Sequence, residues 1–431
     1  MYAKAERALA KRKNAFPIVA IEPGDNTNQA LGYNYRHWHE MFNARQLLCL
    51  SILADRIREI PDAVLRELFT CLFSGALEFN NMFASYKGEG TGAVRHMFAH
   101  HILKPERVPL EANLWGTAKS SGSFSTMFEG RIRRALDYAD DPFELRLSSG
   151  KGSKAEKIYG LSERIGAPVA ESHRAYAQGA RVYLSCGDSG GTDLPDCSVD
   201  AVVTDPPFFD NVHYSQLADF FHVWQRYILG EGGTRASDTT RSDREVQNAD
   251  GDEFTDRLAS VWEETHRVLK DEGVLAFTYH HSRPEGWRCV LRALVQAGFG
   301  ITAAHPIKAE MSVAMPKQQA KEPIDLDIIL VCRKRAQLKT HRWNGDLWGT
   351  VAPPAQVQVS RLRDAGRKLS RNDVRIIVMA QLLRQLSRSP TLESALHFLD
   401  GASRDTEALI DRIHNKRSEK THKPEKRKGA V

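Results

Sequence analysis

Asp205, Pro206, Pro207 and Phe208 stand in a row within the stretch SVDAVVTDPPFFDNVHY (198–214). Proline holds φ near −65° and has no N–H to donate. The carbonyl of Pro206 therefore points in a set direction, with no neighbouring N–H competing for it. Asp205 places an anionic acceptor beside it. Two acceptors at a fixed separation suit a planar amino group that has two hydrogens to donate, and the exocyclic amine of a nucleobase is such a group. Its lone pair is delocalised into the ring, which makes it a poor nucleophile. Two acceptors pulling on its N–H bonds favour a pyramidal, nucleophilic nitrogen. Phe208 offers a ring that can stack on the base. A base paired inside a duplex does not reach such a pocket, so it has to be flipped out. Taken by itself, the tetrapeptide also reads as a tight turn.

The elements around it argue for more than a turn. Val199 to Thr204 is a run of small and β-branched residues bounded by polar ones, which predicts a short buried strand. Two prolines stop it from continuing as a central strand. An acid at the carboxyl end of a strand is the usual place for a functional group in an open α/β sheet. Further strands are predicted at RVYLSC (181–186), GVLAFTYHH (273–281), ITAAHPI (301–307) and DLDIILVCRK (325–334), with helices at 214–228, 252–270 and 286–299. The helix at 252–270 starts acidic and ends basic, as the helix dipole prefers. Strands that alternate with helices imply a largely parallel sheet. Ahead of this region, helices are predicted at 41–60, 61–79 (with Pro61 in the first turn) and 125–138. SSGKGSKAEKIYG (148–160) reads as a flexible linker or exposed loop, and it does not match a phosphate-binding P-loop. Residues 355–417 read as three or four helices, and no internal repeat is visible.

The chain has 431 residues, 42% of them hydrophobic and 26% charged, which is ordinary for a globular protein with two or three domains. No apolar run approaches the roughly 18 residues that a membrane span needs. The basic N-terminus is not followed by an apolar stretch of signal-peptide type. A cytoplasmic protein is expected. Cysteines 49, 71, 186, 197, 289 and 332 include no C-x-x-C pair, so a structural zinc site is not expected and free buried thiols are. The net charge of +6 is modest, and the tail from 415 to 431 concentrates basic residues. It reads as a solvated end that adds unspecific attraction for phosphates.

In YLSCGDSGGTDLPDCSVDAVVTDPPFFD, a Gly187–Asp188 pair follows one predicted strand and Asp-Pro-Pro-Phe follows the next. With FNARQLLCL, GAVRHMF, DPPFFDNVHYSQLADFFHVW and RVLKDEGVL, this pattern resembles the adenine-specific DNA methylases with a DUF1156-type N-terminal part. These are amino-methyltransferases whose catalytic tetrapeptide is Asp-Pro-Pro-Tyr. The resemblance covers roughly 30–335 and is strongest in 181–300. It implies an α/β class I, Rossmann-like methyltransferase sheet with helical additions at both ends. The corresponding segments are 1–150 (helical and irregular), 151–178 (linker), 179–335 (α/β domain), 336–417 (helical) and 418–431 (basic tail). It implies transfer of a methyl group from S-adenosylmethionine to adenine N6 in DNA, without a metal or a covalent intermediate, in a restriction or phage-defence setting. Asp205, Pro206, Pro207 and Phe208 would be catalytic. Asp205 would hold the amine, and Phe208 would stack where the family has tyrosine. Asp188, with Gly187, would contact the adenine of the methyl donor; the other reading of Asp188 is a turn cap. Asp at the head of the tetrapeptide favours adenine over cytosine. Catalysis would consist of positioning amine and methyl group for in-line attack.

The pattern departs from the family at the cofactor end. No Phe-x-Gly-x-Gly loop is evident, and KGEGTGAV (87–94), with glycines 88, 90 and 92, is a weak substitute because no buried strand precedes it. The chain resembles the carboxyl portion of the family, and a second polypeptide would supply the first strands and their loop. An RNA base methyltransferase and a non-catalytic nucleic-acid-binding subunit are the other readings. Further candidates have plain structural alternatives: Arg45 and Gln46 as exposed helix residues, His280 and His281 as satisfied structural histidines, and Lys308, Lys317 and Lys321 as solvated lysines rather than phosphate contacts. The polar segment 229–251 is the candidate for target recognition.

Overall fold

The computed structural model describes residues 1–86, 94–100, 103–117, 120, 122–146, 155–179, 181–209, 212–232, 236–309, 324–340 and 346–416. The glycines at 88, 90 and 92, Lys317, Lys321 and the basic tail from 417 lie outside them. The chain forms two compact units, Met1–Ser185 with Val212–Asp243, and Cys186–Asn211 with Arg244–Val431.

The first unit is built on helices α1 (Ala44–Arg58), α2 (Ala63–Leu77) and α3 (Tyr214–Leu229). Asn43 and Gln46 close a capping box on α1, each side chain accepting from the other's backbone N–H at 2.9 Å. Gln46 is thus a structural residue, and Arg45 forks onto Glu111 at 2.6–2.8 Å. Trp38, Met41, Phe73, Phe220 and Trp224 fill the core, with Phe42 stacked on Phe220. Asp219 on α3 is buried and accepts from the Thr239 hydroxyl and from Thr240 N–H, with Arg241 beside it. This pins part of the polar segment after α3. The stretch that resembles DPPFFDNVHYSQLADFFHVW is therefore divided: its tetrapeptide lies in the second unit and its helix in the first.

The second unit holds a four-stranded sheet of β1 (Val199–Thr204), β2 (Leu269–Tyr279), β3 (Phe299–Lys308) and β4 (Leu326–Lys334), in the order β1-β2-β4-β3. β1 is parallel to β2, while β4 is antiparallel to both its neighbours. The sheet is therefore not largely parallel in its pairing: β1, β2 and β3 run the same way, but β4 reverses between β2 and β3, so one of the three pairings is parallel and two are antiparallel. Helices α4 (Gly251–Val268), α5 (Pro284–Gln296), α6 (Leu347–Asp364), α7 (Arg371–Leu386), α8 (Leu392–Gly401) and α9 (Ser403–Asn415) complete the unit. Alternation along the strands sorts the sheet into two faces. Leu275, Phe277, Tyr279, Ile328, Leu330 and Cys332 are buried in one core with Trp262, Trp287, Ile377 and Leu383 from the helices. On the other face Val274, Ala276, Thr278, Ile329 and Val331 are only half-buried.

Two expectations are corrected here. β1 is not a buried strand. Among the described residues it pairs on one side only, with β2, and Val203 is 81% exposed. RVYLSC does not join the sheet. Only Val182–Tyr183 is extended, and it pairs in parallel with Val169–Ala170 in the first unit. The thiols also differ from expectation. All six are free, but Cys49, Cys71, Cys186 and Cys197 are exposed and only Cys289 and Cys332 are buried. No helix among the described residues is long and apolar enough to cross a membrane.

Candidate active site

β1 delivers Asp205 to the carboxyl end of the sheet. Residues 201, 203 and 205 alternate onto the half-buried face, and so do Thr278 and His280 from β2, while Val199 lies beyond a register shift and packs against the core. The Thr278 hydroxyl donates to Asp205 Oδ1, which orients an otherwise exposed carboxylate. Across the β2–β4 pair, His280 Nδ1 meets Asp327 Oδ1. The half-buried ring of Phe208 stands edge-on to His280 and Tyr279, with ring centroids 4.7 and 5.4 Å apart. Asp205, Thr278, Phe208, His280 and Asp327 thus gather at one end of one face. Among the described residues, nothing donates to the Pro206 carbonyl.

The loop that carries Asp205 and Phe208 is anchored at Phe209. Phe209 has φ +56°, a left-handed conformation that costs a bulky residue on the order of 1–3 kcal/mol. Its surroundings offset that cost. The ring is buried against Phe254 and His281, and the carbonyl accepts from the side chain of buried Gln247. His281 is structural. Its Nδ1 accepts from Arg283 N–H and its carbonyl accepts from Trp287 Nε1. Gly286 lets the chain pass it, since a Cβ there would stand 2.5 Å from the His281 ring.

The predicted cofactor residues are arranged differently. Gly187 and Asp188 are exposed. Asp188 Oδ1 accepts from Gly190 N–H at 2.8 Å, which is a turn cap, and Oδ2 lies 3.6 Å from Arg244. The segment beyond is fastened to α4. Glu264 accepts from the Thr192 N–H and hydroxyl and from Arg267, whose guanidinium also reaches Leu194 O and Asp196. The Arg267 hydrogen bonds, helped by those from Thr192, bring the Glu264 carboxyl down to about 2 from an ordinary 4.5. S-adenosylmethionine is the donor that the resemblance implies, but Gly187 and Asp188 do not fit it. Asp188 is spent on a turn and a surface arginine, and the strand ahead of it lies outside the sheet that presents Asp205.

Sequence reasoning missed Thr278, Asp327 and Gln247. Thr278 and His280 alternate with Phe277 and Tyr279, and Asp327 alternates with Leu326 and Ile328, so the polar members of those strands were readable as one face. Gln247 had no signal, because its partner is a backbone carbonyl far away in sequence. Compared with models of known protein families and with curated proteins, the chain has no match.

Proposed function

We propose that this chain holds the exocyclic amine of a flipped base for methylation: adenine N6 in DNA, with S-adenosylmethionine as methyl donor and a second polypeptide supplying the donor's site. The observation that carries the reading is the Asp205 carboxylate, oriented by Thr278 beside an unengaged Pro206 carbonyl and the ring of Phe208. Two acceptors and a flat apolar wall suit an aromatic amine. They do not suit a phosphate, which Asp205 would repel. The two acceptors bind the N–H hydrogens, concentrate the lone pair on nitrogen and fix its direction. The missing glycine-rich loop suggests a second polypeptide, and β1 supports it: among the described residues it pairs on one side only and exposes Ala201 and Val203. In open α/β sheets, ligands sit outside the carboxyl ends of the strands. A strand added along Val199–Thr204 would bring its own loop to that place.

The second reading, a nucleic-acid-binding subunit without catalysis, is favoured by the turn-capping role of Asp188. Calorimetric titration of S-adenosylmethionine separates the two. The donor is expected to bind the chain together with the product of an adjacent gene, and not the chain alone. Heat from neither sample would favour the non-catalytic subunit. Binding to the isolated chain that Asp205→Asn leaves intact and Asp188→Ala abolishes would restore Asp188 as a cofactor residue.

A further inference from the structure

A second site lies at the same end of the sheet. A cleft of about 370 Å³ is lined by Lys308 at the end of β3, by Asp325 and Leu326 where β4 starts, by Arg367 and Lys368 between α6 and α7, and by Asp373 in the first turn of α7. Lys308, Arg367 and Lys368 are exposed, and their side chains have no hydrogen-bond or ion-pair partner among the described residues. Of the two carboxylates, Asp373 is buried and already occupied: it accepts from Asp325 N–H and from Ser370 N–H, both at 2.8 Å. Three exposed cations and the two carboxylates Asp325 and Asp373 therefore line one cleft, which keeps an excess of positive charge among the described residues.

Their placement is fixed by the backbone. α6 ends with Gly366 at φ +83°; Gly366 N–H donates to Arg363 O at 2.9 Å and Arg367 N–H to Leu362 O at 3.0 Å. That is a Schellman termination. α7 begins three residues later with a Ser370–Asp373 capping box. The turn that carries Arg367 and Lys368 is thus closed at both ends by hydrogen bonds. Lys308 is brought in by its register partner Leu326.

We propose that this cleft binds the phosphodiester backbone of the nucleic acid whose base Asp205 holds, a step that rests on the reading above. Across the strand order β1-β2-β4-β3, Lys308 lies three strand spacings to the side of Asp205, about 14 Å at roughly 4.8 Å each, and about three residues further along, towards the helix-covered face. A base emptied into the Asp205 loop leaves its flanking phosphates to be held elsewhere, and the cleft supplies cations at the same end of the sheet. Contacts from these cations to phosphate oxygens position the strand without reading bases, so their contribution is independent of sequence.

The test is fluorescence anisotropy of a labelled DNA duplex against the full chain at increasing salt. The variants are Lys308→Gln, Arg367→Gln, Lys368→Gln and the triple. Each phosphate contact contributes about 0.9 to the slope of log affinity against log salt. The triple variant is therefore expected to lose up to about 2.7 of that slope and at least tenfold in affinity at low salt, with each single variant losing about a third as much in slope. A triple variant that keeps the wild-type affinity and slope overturns the proposal. So does calorimetry in which inorganic phosphate binds tightly and loses its site in the triple variant while duplex binding is unchanged, since the cleft would then hold a free anion. The readout needs no methyl transfer. A lowered slope in a chain that never methylates would uphold the cleft and sink the catalytic reading, and the reverse outcome would do the opposite.

Discussion

The two faces of the four-stranded sheet are made of the same strands and have different fates. One face presents Leu275, Phe277, Leu330 and Cys332, all buried against helices. The other presents Val203, Ala276, Val331 and Thr278, exposed or half-buried, and ends in Asp205. The first face has the composition and packing of a core. The second keeps apolar residues within reach of water and gathers Asp205, Thr278, His280 and Asp327. Stability and chemistry are thus separated by strand alternation alone, so substitutions one residue apart should affect different properties.

The sharpest contrast is thermodynamic. Phe277→Ala empties a buried aromatic site and is expected to cost about 3–5 kcal/mol. Val203→Ala, on the open face, should stay within about 0.5 kcal/mol. Urea denaturation of both variants checks this, and a large loss for Val203→Ala would mean that the open face is covered. Thr278→Val keeps the side-chain shape and removes only the hydroxyl that orients Asp205. Methyl transfer should fall roughly tenfold, equivalent to about 1.4 kcal/mol, with little change in melting temperature and none in the salt dependence of DNA binding. A fall in stability that matches the fall in activity would make Thr278 merely structural.

Glu264 gives the comparison a pH axis. Its carboxyl titrates lower in the folded protein, near 2, than its ordinary 4.5. Its stabilising effect is therefore complete above about 4.5 and is lost as pH falls toward 2. In acid titrations followed by circular dichroism, Glu264→Gln should flatten stability across that window and leave it unchanged in shape near neutrality. An acid limb as steep as the wild type's would show that Glu264 does not control it. A small effect is expected at Asp188. Asp188→Ala removes an exposed turn cap, worth about 1 kcal/mol or less. It should leave DNA affinity within twofold by anisotropy.

Much of this was legible in the sequence. Helices α1, α2, α4, α5 and α7 follow their apolar periodicity and capping residues. The strands after residue 270 follow uninterrupted β-rich runs. Asp205 could be placed at a strand end because two prolines force the strand to stop there. The partner of each strand was not legible. Nothing local says that β4 inserts between β2 and β3, or that Val182–Tyr183 pairs with Val169–Ala170. Val199–Thr204 has the composition of a buried strand, and only the list of its neighbours shows that it is an edge. The same limit separated the two halves of the expected site. A tetrapeptide carries its geometry with it, whereas a Gly-Asp pair acquires a role only from the sheet that presents it. The cationic cleft was half legible, through Lys308. Arg367 and Lys368 join it only because α6 ends where the sheet does.

The measurement that bears most directly on the central claim is transfer of a labelled methyl group from S-adenosylmethionine to duplex DNA. The chain would be purified together with the product of an adjacent gene, as wild type and as Asp205→Asn, and the labelled nucleoside identified after hydrolysis. The account predicts label in N6-methyladenine for the wild type and a loss of about 100- to 1,000-fold in Asp205→Asn, the scale of removing one preorganised transition-state contact, with DNA affinity retained. Label that Asp205→Asn incorporates as fast as the wild type, or label found on a ring carbon rather than an exocyclic amine, would contradict it.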